Sequence, residues 1–196
     1  MTTFNPTEFW RKPNVSEVDN PRYLSHYLPP HYLNQPELTK MVLNGLERYA
    51  EWDDAIMELG CNVGRNLAGL KKAGFKKLYG IEINPDALLL GNQMLDIDDI
   101  QIQIGSIEDL ISNIVEVDWI FTQSVFMHLP QTSDWIYKIV ALKARKGVMT
   151  IEIENRKDKF TWPRNYRKLF EDSGMCQVYK YNVNRKLIQR VMIWQK

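Results

Sequence analysis

From about residue 37 onward, apolar runs of strand length alternate with stretches of helical periodicity. Glu37 to Tyr49 sets Leu38, Met41, Val42, Gly45, Leu46 and Tyr49 on one face, which predicts an amphipathic helix. The short run Ile56-Met57-Glu58-Leu59 then ends in two glycines, Gly60 and Gly64, the pattern of a buried strand entering a turn. Asn66 to Ala73 reads as a helix closed by Gly74. A second apolar run, Leu78-Tyr79-Gly80-Ile81, ends at the acid Glu82, and Asn84-Pro85 starts another helix with a cap and an early proline. Ile100 to Ile104 and Val148 to Ile153 are further strands. Between them, Thr132 or Ser133 caps a helix expected to run to Lys146 and to stop at Gly147. Pro163 to Asp172 is the last helix, closed by Ser173-Gly174. Gln177 to Val183 and Leu187 to Trp194 flank Asn184-Arg185-Lys186 as a hairpin. Strand alternating with helix predicts an α/β fold with a doubly wound, mostly parallel sheet and helices on both faces.

The front of the chain breaks this rhythm. Residues 1–36 hold six of the nine prolines, the histidines His26 and His31, and the rings of Phe4, Phe9, Trp10, Tyr23, Tyr27 and Tyr32. Interior proline costs a helix about 3 kcal/mol, so this is not one long helix. It is too aromatic for a disordered tail. Short helices and turns forming a cap or lid over residues 37–196, within a single domain, are expected.

The turn after the first strand carries the chemistry. A dinucleotide fingerprint needs glycine at the first, third and sixth positions, and counting from Gly60 these hold Gly60, Asn62 and Arg65. A phosphate loop ending in Gly-Lys-Ser/Thr is absent. Glu58-Leu59-Gly60-Cys61-Asn62-Val63-Gly64 instead resembles the first motif of class I S-adenosylmethionine-dependent methyltransferases, with Asn62 in place of the middle glycine. Asn tolerates a left-handed backbone better than most residues. The resemblance continues in order through Glu82, Gly105-Ser106-Ile107, and Asp118 to Pro130 with its Met127-His128-Leu129 ending. It covers residues 40 to 196 and is closest to small-molecule members.

The resemblance implies a seven-stranded sheet ending in a C-terminal antiparallel hairpin, with S-adenosylmethionine as cofactor and S-adenosylhomocysteine as product. It implies that Glu82 accepts from both ribose hydroxyls, which a two-oxygen carboxylate suits. Ser106 stands where the family has an adenine-contacting Asp. The cofactor residues so implied are Glu58, Gly60, Cys61, Asn62, Gly64, Arg65, Asn66, Glu82, Ile83, Ser106, Ile107, Gln123 and Ser124. Glu58 either holds the glycine loop or meets the cofactor ammonium, and Asn62 either enables the turn or touches cofactor. Strand four lacks the Asn/Asp-Pro-Pro-Tyr/Phe signature of amino-directed nucleic-acid members, showing Thr122-Gln123-Ser124-Val125.

Transfer from a sulfonium needs mostly positioning and desolvation, with a base only for some acceptors. His128 is the candidate base or positioning group, with pinning of its loop as the plain alternative. Glu154, on the same side of its strand as Glu152, is a candidate substrate contact or a loop-structure residue. The run Arg156 to Lys168 either holds substrate phosphates or is a solvated face. Apolar content of 44%, charged content of 25% and net charge +1 give no global pull toward nucleic acid or membrane. No apolar run nears the roughly 20 residues of a span, and Cys61 and Cys176 form no metal-ligand spacing. No metal, no membrane association, a small-molecule acceptor and a reduced, cytoplasmic setting are expected. A non-catalytic binder or partner subunit and an NAD-dependent oxidoreductase are the alternatives.

Overall fold

A computed structural model describes residues 5–13, 28–184 and 189–196 of the chain. Seven strands form one sheet: β1 (Ala55–Leu59), β2 (Lys77–Glu82), β3 (Gln101–Ile104), β4 (Val117–Gln123), β5 (Ala144–Ile153), β6 (Cys176–Asn184) and β7 (Gln189–Gln195). Their order is β3-β2-β1-β4-β5-β7-β6. The first five strands pair in parallel, and β7 runs antiparallel to both β5 and β6. Register aligns the strand ends: Leu59 lies beside both Ile81 and Thr122, and Thr122 beside Thr150. The chain leaves β1 toward β2 on one side and returns to β4 on the other, and this reversal opens a crevice at the carboxyl ends of β1 and β4.

Alternation along each strand divides the core. Met57, Leu59 and Ile120 face a cluster with Ile136, Tyr137, Tyr166 and Phe170, from α6 (Trp135–Lys143) and α7 (Tyr166–Glu171). Ile56, Trp119 and Phe121 face the other way, against α2 (Pro36–Leu46) and α3 (Arg65–Ala73) through Val42, Leu46, Leu67 and Leu70. Among the described residues, the remaining α-helices are α1 (Pro6–Arg11), α4 (Pro85–Met94) and α5 (Ile107–Leu110).

Several boundaries differ from the sequence expectation. The helix expected to reach Lys146 ends at Lys143, and Gly147 does not stop it but lies within β5. A Cβ on Gly147 would meet the Trp119 ring at 2.4 Å, so this glycine makes room for an indole between paired strands. Neither Thr132 nor Ser133 caps that helix; both lie in a 3₁₀ turn, Gln131–Ser133, ahead of Asp134. The last helix begins at Tyr166 rather than Pro163, because the Asn165 side chain accepts from the Lys168 N–H and sets the start there. The Asn84 cap, the Gly74 stop and the antiparallel hairpin are as expected; of the expected turn Asn184-Arg185-Lys186, Asn184 belongs to β6, and Arg185 and Lys186 lie outside the described residues.

Candidate functional site

The turn after β1 is built by left-handed backbone. Gly60, Asn62 and Gly64 have φ of 73°, 51° and 75°, so Asn62 does adopt the conformation that glycine would supply. Gly60 and Cys61 both donate their N–H to the Ile81 carbonyl, tying the turn to β2. A helix presses on it from outside: a Cβ at Gly91 of α4 would lie 2.2 Å from the Val63 carbonyl oxygen.

Two buried acids face the turn. Glu82 takes the Asn62 N–H on Oε2 at 2.7 Å and the Asn84 N–H on Oε1 at 2.8 Å, so it braces the glycine loop and the start of α4 together. Burial raises its pKa, and bonds from Asn84, Asn62 and Ile83 N–H lower it. A carboxylate offers about four acceptor sites, so Glu82 keeps acceptor capacity for a ligand beyond these backbone donors. Glu58 is 2% exposed; its Oε1 accepts from Asn66 Nδ2 at 2.7 Å, while Oε2 has no hydrogen-bond partner. Burial pushes Glu58 up to about 8, against the pull of Asn66 and Arg65.

Arg65 fastens the site to the front of the chain. Its guanidinium donates to Thr39 Oγ1, the Tyr32 carbonyl, Asn66 Oδ1 and Gln123 Oε1, and Gln123 in turn donates to the Leu38 carbonyl. One hydrogen-bond network centred on the guanidinium thereby joins β4, α3, α2 and the turn before α2. Ser106 spends its hydroxyl locally, accepting from the Asp109 N–H and donating to the Asp109 carboxylate at the start of α5.

These groups border a cavity of about 360 Å³, within the range of small-ligand sites. Every cofactor-side residue read from the sequence lines it except Gly64. His128 also lines it. Its Nδ1 lies 2.6 Å from the Phe160 carbonyl, so Nδ1 carries the proton and Nε2 the lone pair. Burial lowers its pKa to about 4, which keeps the ring neutral. Glu154 does not border the cavity; it pairs with Arg190 of β7.

Of the front segment, Thr7, Trp10, Pro13, His31, Tyr32 and Gln35 line the cavity. The Trp10 ring lies against His128 with centroids 4.4 Å apart, and Phe9 packs on Phe160 at 4.7 Å. His26, Tyr23 and Tyr27 lie outside the described residues. The basic run after β5 is largely spent within the chain: Arg164 is 2% exposed at its side chain and paired with Asp134, Arg167 pairs with Glu171, and Lys168 with Asp172. Only Arg156 of that run reaches the cavity, and it pairs with Asp158.

Sequence reasoning missed Thr39, Leu38 and Gln35, which reach the site only because α2 packs beside α3. It also missed Gly91, whose signal was a glycine inside an otherwise good helix. A family model for a methyltransferase domain matches residues 51–192. This chain belongs to that methyltransferase-domain family. Among curated members of the wider group, the ribosomal protein L11 methyltransferase of Clostridium botulinum is 29% identical over 84 residues, 41% of this chain and 27% of that protein. The match thus spans about a quarter of that relative's length. Magnesium protoporphyrin IX methyltransferase from Synechocystis PCC 6803, solved with bound SAM, has a TM-score of 0.73 at 12% identity, over 100% of this methyltransferase domain's chain and 99% of that one. The same enzyme with bound SAH gives 0.71 at 14% identity, covering 98% and 96%. At these identities the likeness is one of fold. Among the described residues, no helix is long and apolar enough to cross a membrane.

Proposed function

We propose that this chain is an S-adenosylmethionine-dependent methyltransferase acting on an oxygen or nitrogen of a small-molecule acceptor. The observation that carries the reading is the pair of buried acids at the ends of β1 and β2, both bordering one cavity with the glycine turn. Glu82 retains acceptor capacity for ribose hydroxyls, and Glu58 Oε2 is an unpartnered carboxylate oxygen suited to the cofactor's ammonium. Recognition of adenine falls to backbone and to Ile83 and Ile107, since Ser106 is engaged with Asp109. When bound, S-adenosylmethionine supplies an activated methyl group for in-line displacement.

The chain's own work is positioning. His128, neutral and with its Nδ1 committed to Phe160, offers Nε2 as an acceptor for the O–H or N–H of the methyl acceptor. A ring held near a pKa of 4 orients that group rather than taking its proton for long. Thr7, Trp10, Pro13, His31, Tyr32 and Gln35 cover the acceptor end and exclude water there, a lid role for the described part of the front segment. Cys61 and Cys176 are both free thiols, in keeping with a reduced, cytoplasmic setting. The protoporphyrin methyltransferase that shares the fold acts on a small molecule, which supports that acceptor class.

Calorimetric titration of the full chain with S-adenosylmethionine, S-adenosylhomocysteine and NAD tests the proposal. Binding of the two adenosyl ligands and not NAD is expected, weakened about 10²-fold in Glu82→Ala by loss of two hydrogen bonds to a charged group. NAD binding in their place would favour the oxidoreductase, and adenosyl binding with no turnover across an acceptor screen would favour a non-catalytic subunit.

A further inference from the structure

A third buried acid, Glu152, stands outside the cavity and has no part in the cofactor reading. It lies near the end of β5 with no exposed surface. Its Oε1 accepts from the Thr122 hydroxyl at 2.8 Å, the Val125 N–H at 3.0 Å and the Phe126 N–H at 3.1 Å. Its Oε2 accepts from the Met127 N–H at 3.3 Å. A single carboxylate thus gathers three consecutive backbone donors at the start of the 3₁₀ turn Phe126–His128, donors that a helical turn leaves without internal partners. All four groups donate, and their bonds favour the ionised carboxylate against the burial that raises its pKa.

The turn it holds has two working ends. At the first, Ser124 adopts φ 56°, costly for a residue other than glycine, and Val125 lies on the glycine loop, where a Cβ at Gly60 would meet Val125 Cγ2 at 2.5 Å. At the second, His128 borders the cavity with Nδ1 on Phe160. The three N–H groups between these ends leave little freedom to shift one end without the other.

We propose that Glu152 is a positioning residue: through its four bonds it fixes the Ser124–His128 turn in the path that seats Val125 against the cofactor loop and aims His128 at the acceptor. The inference rests on the reading of the cavity as the methyl-transfer site. A plain packing role would be met by any residue of the same volume. Glu152→Gln keeps the volume but removes the charge, and with its carbonyl oxygen on the Thr122, Val125 and Phe126 donors it sets its N–H₂ against the Met127 N–H.

The experiment uses the full chain with two readouts. Long-range proton–nitrogen correlation spectra of the three histidines, with His128 assigned by its absence in His128→Asn, report the ring tautomer. The native chain is expected to hold the Nδ1–H form from about pH 6 to 8, whereas a free neutral imidazole averages both forms. Glu152→Gln is expected to give that averaged pattern and to weaken S-adenosylhomocysteine binding about tenfold, while still melting cooperatively. A folded Glu152→Gln with the native His128 signal and native affinity overturns the proposal. If that variant does not fold, Glu152→Asp decides the matter, since it keeps the charge but withdraws the carboxylate by one methylene; an unchanged His128 signal there overturns it equally. A native chain that fails to bind S-adenosylhomocysteine defeats the cofactor reading instead, and the tautomer readout then decides this proposal by itself.

Discussion

Glu58 is the residue on which pH acts most directly. Burial raises it from 4.5 to about 8, so between those values the folded chain holds a proton that the unfolded chain has released. Stability of the ligand-free chain therefore falls as pH rises through that window. His128 acts in the opposite sense: its folded value of about 4 lies below 6.5, so the unfolded chain takes up the proton first and stability is lost as pH falls from 6.5 toward 4. The two slopes oppose below pH 6.5, and above it the Glu58 slope runs without its opponent. The urea midpoint of the ligand-free chain is expected to drop from pH 6.5 to 8 and to be flatter in Glu58→Gln. A ligand ammonium beside Oε2 favours the ionised acid, so binding releases a proton. Affinity for S-adenosylhomocysteine should then tighten by up to about tenfold per unit between pH 6 and 8. Titrations in buffers of different ionisation enthalpy measure this proton release, and its absence in the native chain would remove Glu58 from the ammonium role. The type and place of this acid are legible in the sequence, because an acid ahead of a glycine turn is a local pattern. Its orphaned oxygen is not, since that depends on which partner Asn66 leaves uncovered.

At the scale of elements, capping and turn residues announce themselves. Asn84-Pro85 starts α4 and Gly74 closes α3 as their chemistry dictates, because a cap acts on backbone two or three residues away. Gly147 misleads for the same reason: taken locally it is a helix stop, while its place is set by Trp119 on the adjacent strand. Gly91 is the converse case. A methyl there would enter the space of the Val63 carbonyl, a backbone atom of the cofactor turn that cannot move aside as a side chain would. Gly91→Ala is expected to cost about 1–3 kcal/mol by overpacking, despite the better helix propensity of alanine. It should also weaken S-adenosylhomocysteine binding, which thermal melts and titration on the same preparation would show together. A gain in stability with unchanged affinity would mean that α4 stands free of the turn.

For the molecule as a whole, cooperativity should run through the aromatic cluster beneath the site. Phe170 of α7 stacks on Trp194 of β7 at 5.1 Å, meets Tyr137 of α6 at 5.5 Å, and lies 6.3 Å from Phe126 on the turn after β4. Phe170→Ala is expected to cost about 3–5 kcal/mol, since no solvent reaches the space left behind. Urea unfolding followed by circular dichroism and by tryptophan fluorescence should give one coincident, earlier transition; separate transitions would show that the hairpin end unfolds independently of β1–β4. The sequence by itself determined the alternation of strand and helix, the doubly wound sheet, the hairpin, and the acids and glycines of the cofactor turn. Each of these is written in periodicity or in spacing within a few residues. Only the tertiary structure decided that Arg65 joins Gln123 to Tyr32 and Thr39, that Glu154 turns to Arg190 and away from the cavity, and that Glu152 gathers the turn after β4. Those partners lie 25 to 58 residues apart along the chain, and what brings them within hydrogen-bond distance is strand register and helix packing, which no local pattern encodes.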